Sequence, residues 1–547
     1  MKRGISMEKR VLVTLLAFCL VAALCVVGAA ASAPAGLPDA DANGVIRLTE
    51  DITVSSIPLN ETGETVIDLN GQTLTYTGTA AVSAKSGQIL TITDTSDTGE
   101  GKMVSTGLQS ANAFISAESG GIVNASNITV RTENAGSAFF ARGDAAAVNI
   151  NNCEVYGYYY GVGTNSATVD NYNVIFTLEN SYFECISSDG DNCPIMINVP
   201  GTLIIDGCII VGDRQAVFVR AGDATITDSQ IITTGAYSQA DPETWRDGNN
   251  VPKGALVVGS QTSNDRAAYK DDANCKIIDT TITSRNDSTP AVYVSSNDSD
   301  SLNYVANLNI SGTGSAITGD IVVADGKETA ASTVVVENGA TISGDIANNS
   351  AASSVAVINA THNGEVTVDK NSEGTVYVES DTDNNFVALN SRTMKAYESL
   401  EDAIAEADAD DTIDLVADAA PTDIVRITKS VIISGNGHKI DMTPADGDRG
   451  KTLEIGQRGS TNTVTLDGVI LNISDTDKGD AIDVWSTLNI VDSTIDIRNV
   501  QSGLVLQGGI DAVVNVDNSR ITMDELHGNG SNGGTWNISN NSVISIS

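Results

Sequence analysis

Three tyrosines at alternate positions, in the run Tyr156-Gly-Tyr-Tyr-Tyr160-Gly161, are the residues of this 547-residue chain whose type and spacing best suit ligand chemistry. Alternation along an extended strand places Tyr156, Tyr158 and Tyr160 on one side, with Tyr172, Tyr182 and Phe183 following soon after. Exposed, such a face stacks on sugar rings. Buried, it is an aromatic ladder filling a core, the favoured alternative because large rings dominate cores. Arg214 and Arg220 flank Val217-Phe-Val219 and could take an anionic group, with solvated loop ends as the plainer alternative. The segment from Tyr237 to Asn250 contains Trp245 and reads as an inserted surface loop, where binding residues concentrate. If the chain has a ligand site, its expected place is between this loop and the tyrosines.

Metal chemistry has fewer candidates. Asp189, Asp191, Asp475, Asp477 and Asp480 offer carboxylate oxygens at short intervals, as does the pair Asp446 and Asp448. Hard cations prefer such ligands, so calcium is the one cofactor left open. No EF-hand loop is completed, and Asp is a common turn residue in any case. The three histidines, His362, His438 and His527, lie far apart, which excludes a spaced zinc site.

Charge and the first residues set the compartment. Lys2, Arg3, Lys9 and Arg10 precede an apolar run, Val11 to Val27, and the small residues Gly28 to Ala31, the pattern of a secretory signal peptide over 1–31. Removing those four cations with Glu8 takes the net charge from −40 to −43. A field of that sign repels nucleic acid and anionic membranes, so neither is an expected partner, and no membrane span is expected after cleavage. Five cysteines would remain, an odd number that argues against a disulfide framework; only Cys185 with Cys193 is a conceivable pair.

The elements that must position these residues repeat. Runs of alternating apolar residues end in Asn or Asp, then Ser or Cys, one residue, and a large apolar one. Examples are Val148-Asn-Ile-Asn-Asn-Cys-Glu-Val155, Phe176-Thr-Leu-Glu-Asn-Ser-Tyr-Phe183 and Leu203-Ile-Ile-Asp-Gly-Cys-Ile-Ile210. The last residues are spaced by 28 and 27, the period of a solenoid with variable loops. Cys153 and Cys208 occupy the position that Ser181, Ser229, Ser493 and Ser519 take elsewhere, and so read as small members of an internal stack.

One segment departs from strand periodicity. Ser399-Leu-Glu-Asp-Ala-Ile-Ala-Glu-Ala407 places Leu400, Ala403, Ile404 and Ala407 on one helical face, with Ser399 as N-cap. After it the opening of the chain is repeated, Val66-Ile-Asp-Leu-Asn-Gly71 returning as Val431-Ile-Ile-Ser-Gly-Asn436. The expected organisation is a linker over 32–43, a first parallel β-helix over 44–392, a capping helix over 395–410 and a second β-helix over 411–547.

With its Ile67-to-Gly71 opening, its Asn/Asp-Ser/Cys rungs and the Tyr397-Glu-Ser-Leu-Glu-Asp-Ala-Ile404 entry, the chain resembles right-handed parallel β-helix proteins of the pectate-lyase-like superfamily. More narrowly, it is similar to secreted adhesin-like surface proteins of anaerobic bacteria and methanogens. The resemblance implies an all-β solenoid of two units in series and a rigid rod for adhesion or display, with a glycan or cell-surface component as partner. It also implies an alternative, a polysaccharide lyase or glycoside hydrolase acting in a groove. The polygalacturonase Gly-His-Gly and Arg-Ile-Lys elements have only Gly437-His-Lys439 and Arg426-Ile-Thr428 as near approaches, and the pectate-lyase Arg-x-Pro-Arg is missing, so no catalytic residue is carried over. The strand-like ending at Asn541 to Ser547 leaves an edge open and predicts a capping partner or a longer chain.

Overall fold

The rung is a corner. At the position before the small residue, Asn152, Asn180, Asp228, Asp279, Asp492 and Asn518 all adopt left-handed backbone angles, with φ between 44° and 52°; Asn127 does the same before Ile128, with φ 58°. Asn and Asp tolerate that region better than other side chains because they bond locally to the backbone. Gly207 and Gly468 take the same role before Cys208 and Val469. The chain thereby turns sharply from one sheet to the next, and the following small side chain points inward. Ser181 Oγ accepts from Cys153 N at 3.0 Å and donates to Glu179 O at 2.6 Å. Ser229 accepts from Cys208 N at 3.0 Å, and Ser493 from Val469 N at 2.9 Å. Each hydroxyl thus satisfies a buried backbone donor of the neighbouring coil, which is why small polar residues recur at the position, although Ile128 and Val469 also occupy it.

A computed structural model describes residues 36–546 apart from 110–112, 165–172, 188–192, 236–252, 260–270, 296–303, 325–330, 351, 369–373, 382–384, 443–451, 475–479, 508–510, 525 and 529–532. Up to Val378 the strands form three sheets of 13, 12 and 11 strands. Successive coils contribute one strand to each, and their pairings are parallel, so the chain is an all-β parallel β-helix. Inward residues stack in register. In the first sheet Val148, Phe176, Leu203, Ala224, Cys275 and Leu308 lie in one buried row. The stretch from Ser301 to Ser380, with its smaller residues, carries the same sheets onward through Thr375–Val378.

A second set of sheets, of 8, 5 and 5 strands, begins at Ala388–Asn390. Its first strands, Ala388–Asn390 and Lys395–Tyr397, pair antiparallel before the parallel pattern resumes. The helix is Leu400–Glu406, with Ser399 Oγ accepting from Asp402 N at 3.0 Å. Leu400, Ala403 and Ile404 are buried in the core of the second unit, so the helix caps it.

The two units touch through a side face. Val335, Ala356 and Tyr377 form an outward row on the first sheet and are nevertheless buried. Tyr377 joins Leu389 and Ala396 of the antiparallel pair in a separate apolar cluster, with Phe386 and Met394 packed against it. Ala396 N also donates to Thr375 Oγ1 at 3.4 Å. The second unit therefore starts against the flank of the last coils of the first. At its far side Ile538 and Ile546 continue the inward rows of Val516 and Met523, yet are 55% and 54% exposed.

Candidate functional site

The tyrosine run does not lie along one strand. Glu154–Gly157 belongs to the second sheet and Tyr160–Thr164 to the third, with the corner between them. Gly157 makes that corner: a Cβ there would fall 1.9 Å from the Tyr160 carbonyl oxygen. Tyr156, Tyr158 and Tyr160 consequently do not share a side, contrary to the expectation from alternation. Tyr158 packs edge-on against Tyr159 at the corner, with ring centroids 4.8 Å apart. Tyr160 packs on an apolar cluster of Cys193, Met196, Phe218 and Val257 on the outer face of the third sheet. Phe183 lies in the core, whereas Tyr156 and Tyr182 face outward, half-buried.

Register gathers a polar and aromatic face around those two rings. Arg131, Tyr156 and Glu184 occupy one outward row on successive coils, and Glu154 pairs with Tyr182 in the next. The Tyr156 and Tyr182 rings stand 5.8 Å apart, tilted by 51°. The Arg131 guanidinium lies 5.6 Å from the Tyr156 ring centre and is ion-paired to Glu133 at 2.8 Å. Tyr156 Oη donates to Glu154 Oε2 at 3.3 Å, and Tyr182 Oη to Glu184 Oε2 at 2.8 Å. By strand geometry Glu154 and Glu184 are diagonal neighbours, about 7–8 Å apart at the backbone.

Burial sets the electrostatics of this face. It pushes the Glu184 carboxyl above its ordinary value, opposed by the Tyr182 hydrogen bond, reinforced by the charge of Asp213 and opposed again by Arg131. Both tyrosine hydroxyls are raised as well, first by burial and then by the neighbouring carboxylates. They remain donors throughout the physiological range. The face thus presents two ring surfaces, two carboxylates and one guanidinium.

The remaining candidates are dispersed. Arg214 and Arg220 bracket the strand Gln215–Val219 and are 1% exposed each, with the Arg220 guanidinium 5.4 Å from the Phe218 ring centre. Their guanidinium groups are therefore packed inside and do not occupy solvated loop ends. Asp480 begins the strand Asp480–Val484 opposite Ser502. Tyr237, Trp245, Asp189, Asp191, Asp475 and Asp477 lie outside the described residues. Among the described residues, no group of three or more His, Cys, Asp or Glu side chains is arranged to hold a metal ion. The five described cysteines are free thiols, Cys185 and Cys193 included. Arg131, Glu154 and Glu184 were not singled out from sequence, although their spacing carried the signal: the steps from 131 to 156 to 184 are 25 and 28 residues, one coil each.

No protein-family description matches the chain, and no curated protein does. Among solved structures, it is similar to a mutant tailspike protein of the E. coli bacteriophage HK620, determined in complex with a hexasaccharide. The identity is 10% over 88% of this chain and 73% of the other, with a TM-score of 0.15. A likeness that slight carries no argument about the site. Among the described residues no helix is long and apolar enough to cross a membrane.

Proposed function

We propose that this chain is a secreted surface rod that binds glycan on the outward face of its second sheet. The observation that carries the reading is the Tyr156 and Tyr182 pair, two outward rings bordered by hydrogen-bonding carboxylates and Arg131. Aromatic faces stack on the C–H faces of sugars, while carboxylates and guanidinium groups fix hydroxyls by charge-assisted hydrogen bonds. The basic residues and apolar run read within 1–31 support export, and the laddered coils give a stiff support for display.

A second reading has its own observation. Glu184, raised by burial, is suited to hold a proton for transfer, and Glu154 is its diagonal neighbour; paired carboxylates are the apparatus of glycoside hydrolysis. A glycan array with the chain lacking residues 1–31 tests both. Binding that is lost in a Tyr156→Ala, Tyr182→Ala variant, without new reducing ends, supports the rod. New reducing ends that vanish in Glu184→Gln support the hydrolase instead. An array with no signal, or one unchanged by the double variant, removes the tyrosine face from consideration.

A further inference from the structure

Parallel register sets four side chains of the tyrosine face in a square. Tyr156 and Glu184 are neighbours in one outward row, Glu154 and Tyr182 in the next. The rings therefore occupy one diagonal and the carboxylates the other. On each strand the tyrosine hydroxyl is tied to Oε2 of the glutamate two residues away, which leaves Oε1 of each glutamate to an incoming donor. Both carboxylates reach solvent, Glu154 as an exposed residue and Glu184 as a half-buried one.

The charges around this square are mostly negative. Among the described residues neither Glu154 nor Glu184 forms an ion pair. Arg131, next to Tyr156 in its row, is ion-paired to Glu133 at 2.8 Å. Asp213 adds a further carboxylate, whose charge is felt at Glu184. The other cation of these rows, Lys102, stands beyond Thr129, two coils from Glu154. Glu133, Glu154, Glu184 and Asp213 are thus set against one guanidinium that is already paired. An anionic sugar would be repelled here, whereas a cation would relieve the repulsion between the glutamates. The rings suit a cation too. Arg131 lies 5.6 Å from the Tyr156 ring centre, and among the described residues no cation lies over Tyr182.

We infer that the tyrosine face selects an amino sugar with a free ammonium group, such as a glucosaminyl residue. The ammonium donates to Oε1 of the glutamates, and the C–H face of the sugar lies on Tyr182. Such selectivity rests on the glycan reading of this same face and narrows the class to cationic sugars.

Calorimetric titration of the chain lacking residues 1–31, at about pH 6 so that sugar amines are charged, uses three probes: a glucosamine trimer, its N-acetylated counterpart and trigalacturonate. The expected result is saturable binding of the glucosamine trimer, at least tenfold weaker binding of the N-acetylated trimer and none of trigalacturonate. The Glu154→Gln, Glu184→Gln variant keeps acceptors for both tyrosines, and should weaken the glucosamine trimer tenfold or more through lost charge-assisted contacts. Asp97→Asn with Asp287→Asn removes the same net charge at two exposed positions off the face and should change nothing. An equal loss in that control, or binding that survives Tyr156→Ala with Tyr182→Ala, would show adsorption to the acidic chain and overturn the selectivity. N-acetylated trimer or trigalacturonate binding as tightly as the glucosamine trimer, yet lost in the tyrosine variant, overturns it while the glycan reading stands. No saturable binding of the glucosamine trimer also overturns it, and takes the glycan reading with it only if the glycan array is silent too.

Discussion

Glu184 is held at odds with its surroundings, and the sign of that conflict can be measured. A carboxyl raised above its unfolded value binds protons more tightly in the folded state, so it weakens folding as pH rises through and above the ordinary glutamate range, near 4.5. The Glu184→Gln variant keeps an acceptor for Tyr182 Oη and removes the buried charge. It should melt higher than the parent at pH 7, and the difference should shrink toward zero at pH 4; a variant less stable at pH 7 would show that the charge is compensated. The cysteines give a second check at this scale. Burial pushes the thiols of Cys153, Cys208 and Cys275 up to about 11, 12 and 12, and a thiol is nucleophilic only as thiolate. Iodoacetamide at pH 8 should leave these three unmodified in the native protein and label them after denaturation, as mass spectrometry of the peptides would report.

Corners and caps explain what was legible at the scale of elements. The Asn/Asp-Ser/Cys rung could be read because one local requirement, a left-handed residue followed by a small inward polar one, recurs in coil after coil. Asn180→Ala should therefore destabilise the first unit by about 1 kcal/mol, the cost of a left-handed alanine, whereas Asn180→Gly should cost less than half as much in urea unfolding. The tyrosine run was misread as one strand because Gly157 breaks it, and the close approach to the Tyr160 carbonyl exists only once the second and third sheets are in place. Arg131, Glu154 and Glu184 escaped notice for a related reason: only parallel register makes residues 25 and 28 apart neighbours. At the start of the second unit Arg392 holds the Asp411 carboxyl down at about 2. A depressed acid stabilises the fold above its unfolded value and loses that contribution as pH falls from about 4 toward 2. Arg392 is half exposed, so Asp411→Asn should cost only on the order of 1 kcal/mol at pH 7, and nothing below pH 2. Thermal melts of the variant and parent across that range would converge if the pair acts in this way.

For the molecule as a whole, the consequential feature is the flank contact between the units. A solenoid transmits stiffness along its ladders, but a chain of two such units is only as rigid as their junction. That junction rests on a small apolar cluster, Tyr377 with Leu389 and Ala396, and on the Ala396 to Thr375 hydrogen bond. Interfaces between units within a chain ordinarily permit relative motion unless they are hydrophobic and well packed. Here the outward row Val335, Ala356 and Tyr377 abandons the polar pattern that Asn274 and Lys276 keep on earlier coils, so the surface has been made apolar where the second unit docks. Truncating Tyr377 and Leu389 together to alanine should uncouple the units while leaving each core intact. Small-angle scattering would then show a larger radius of gyration than the parent with unchanged far-ultraviolet circular dichroism. A variant that scatters like the parent would show that this cluster does not couple the units.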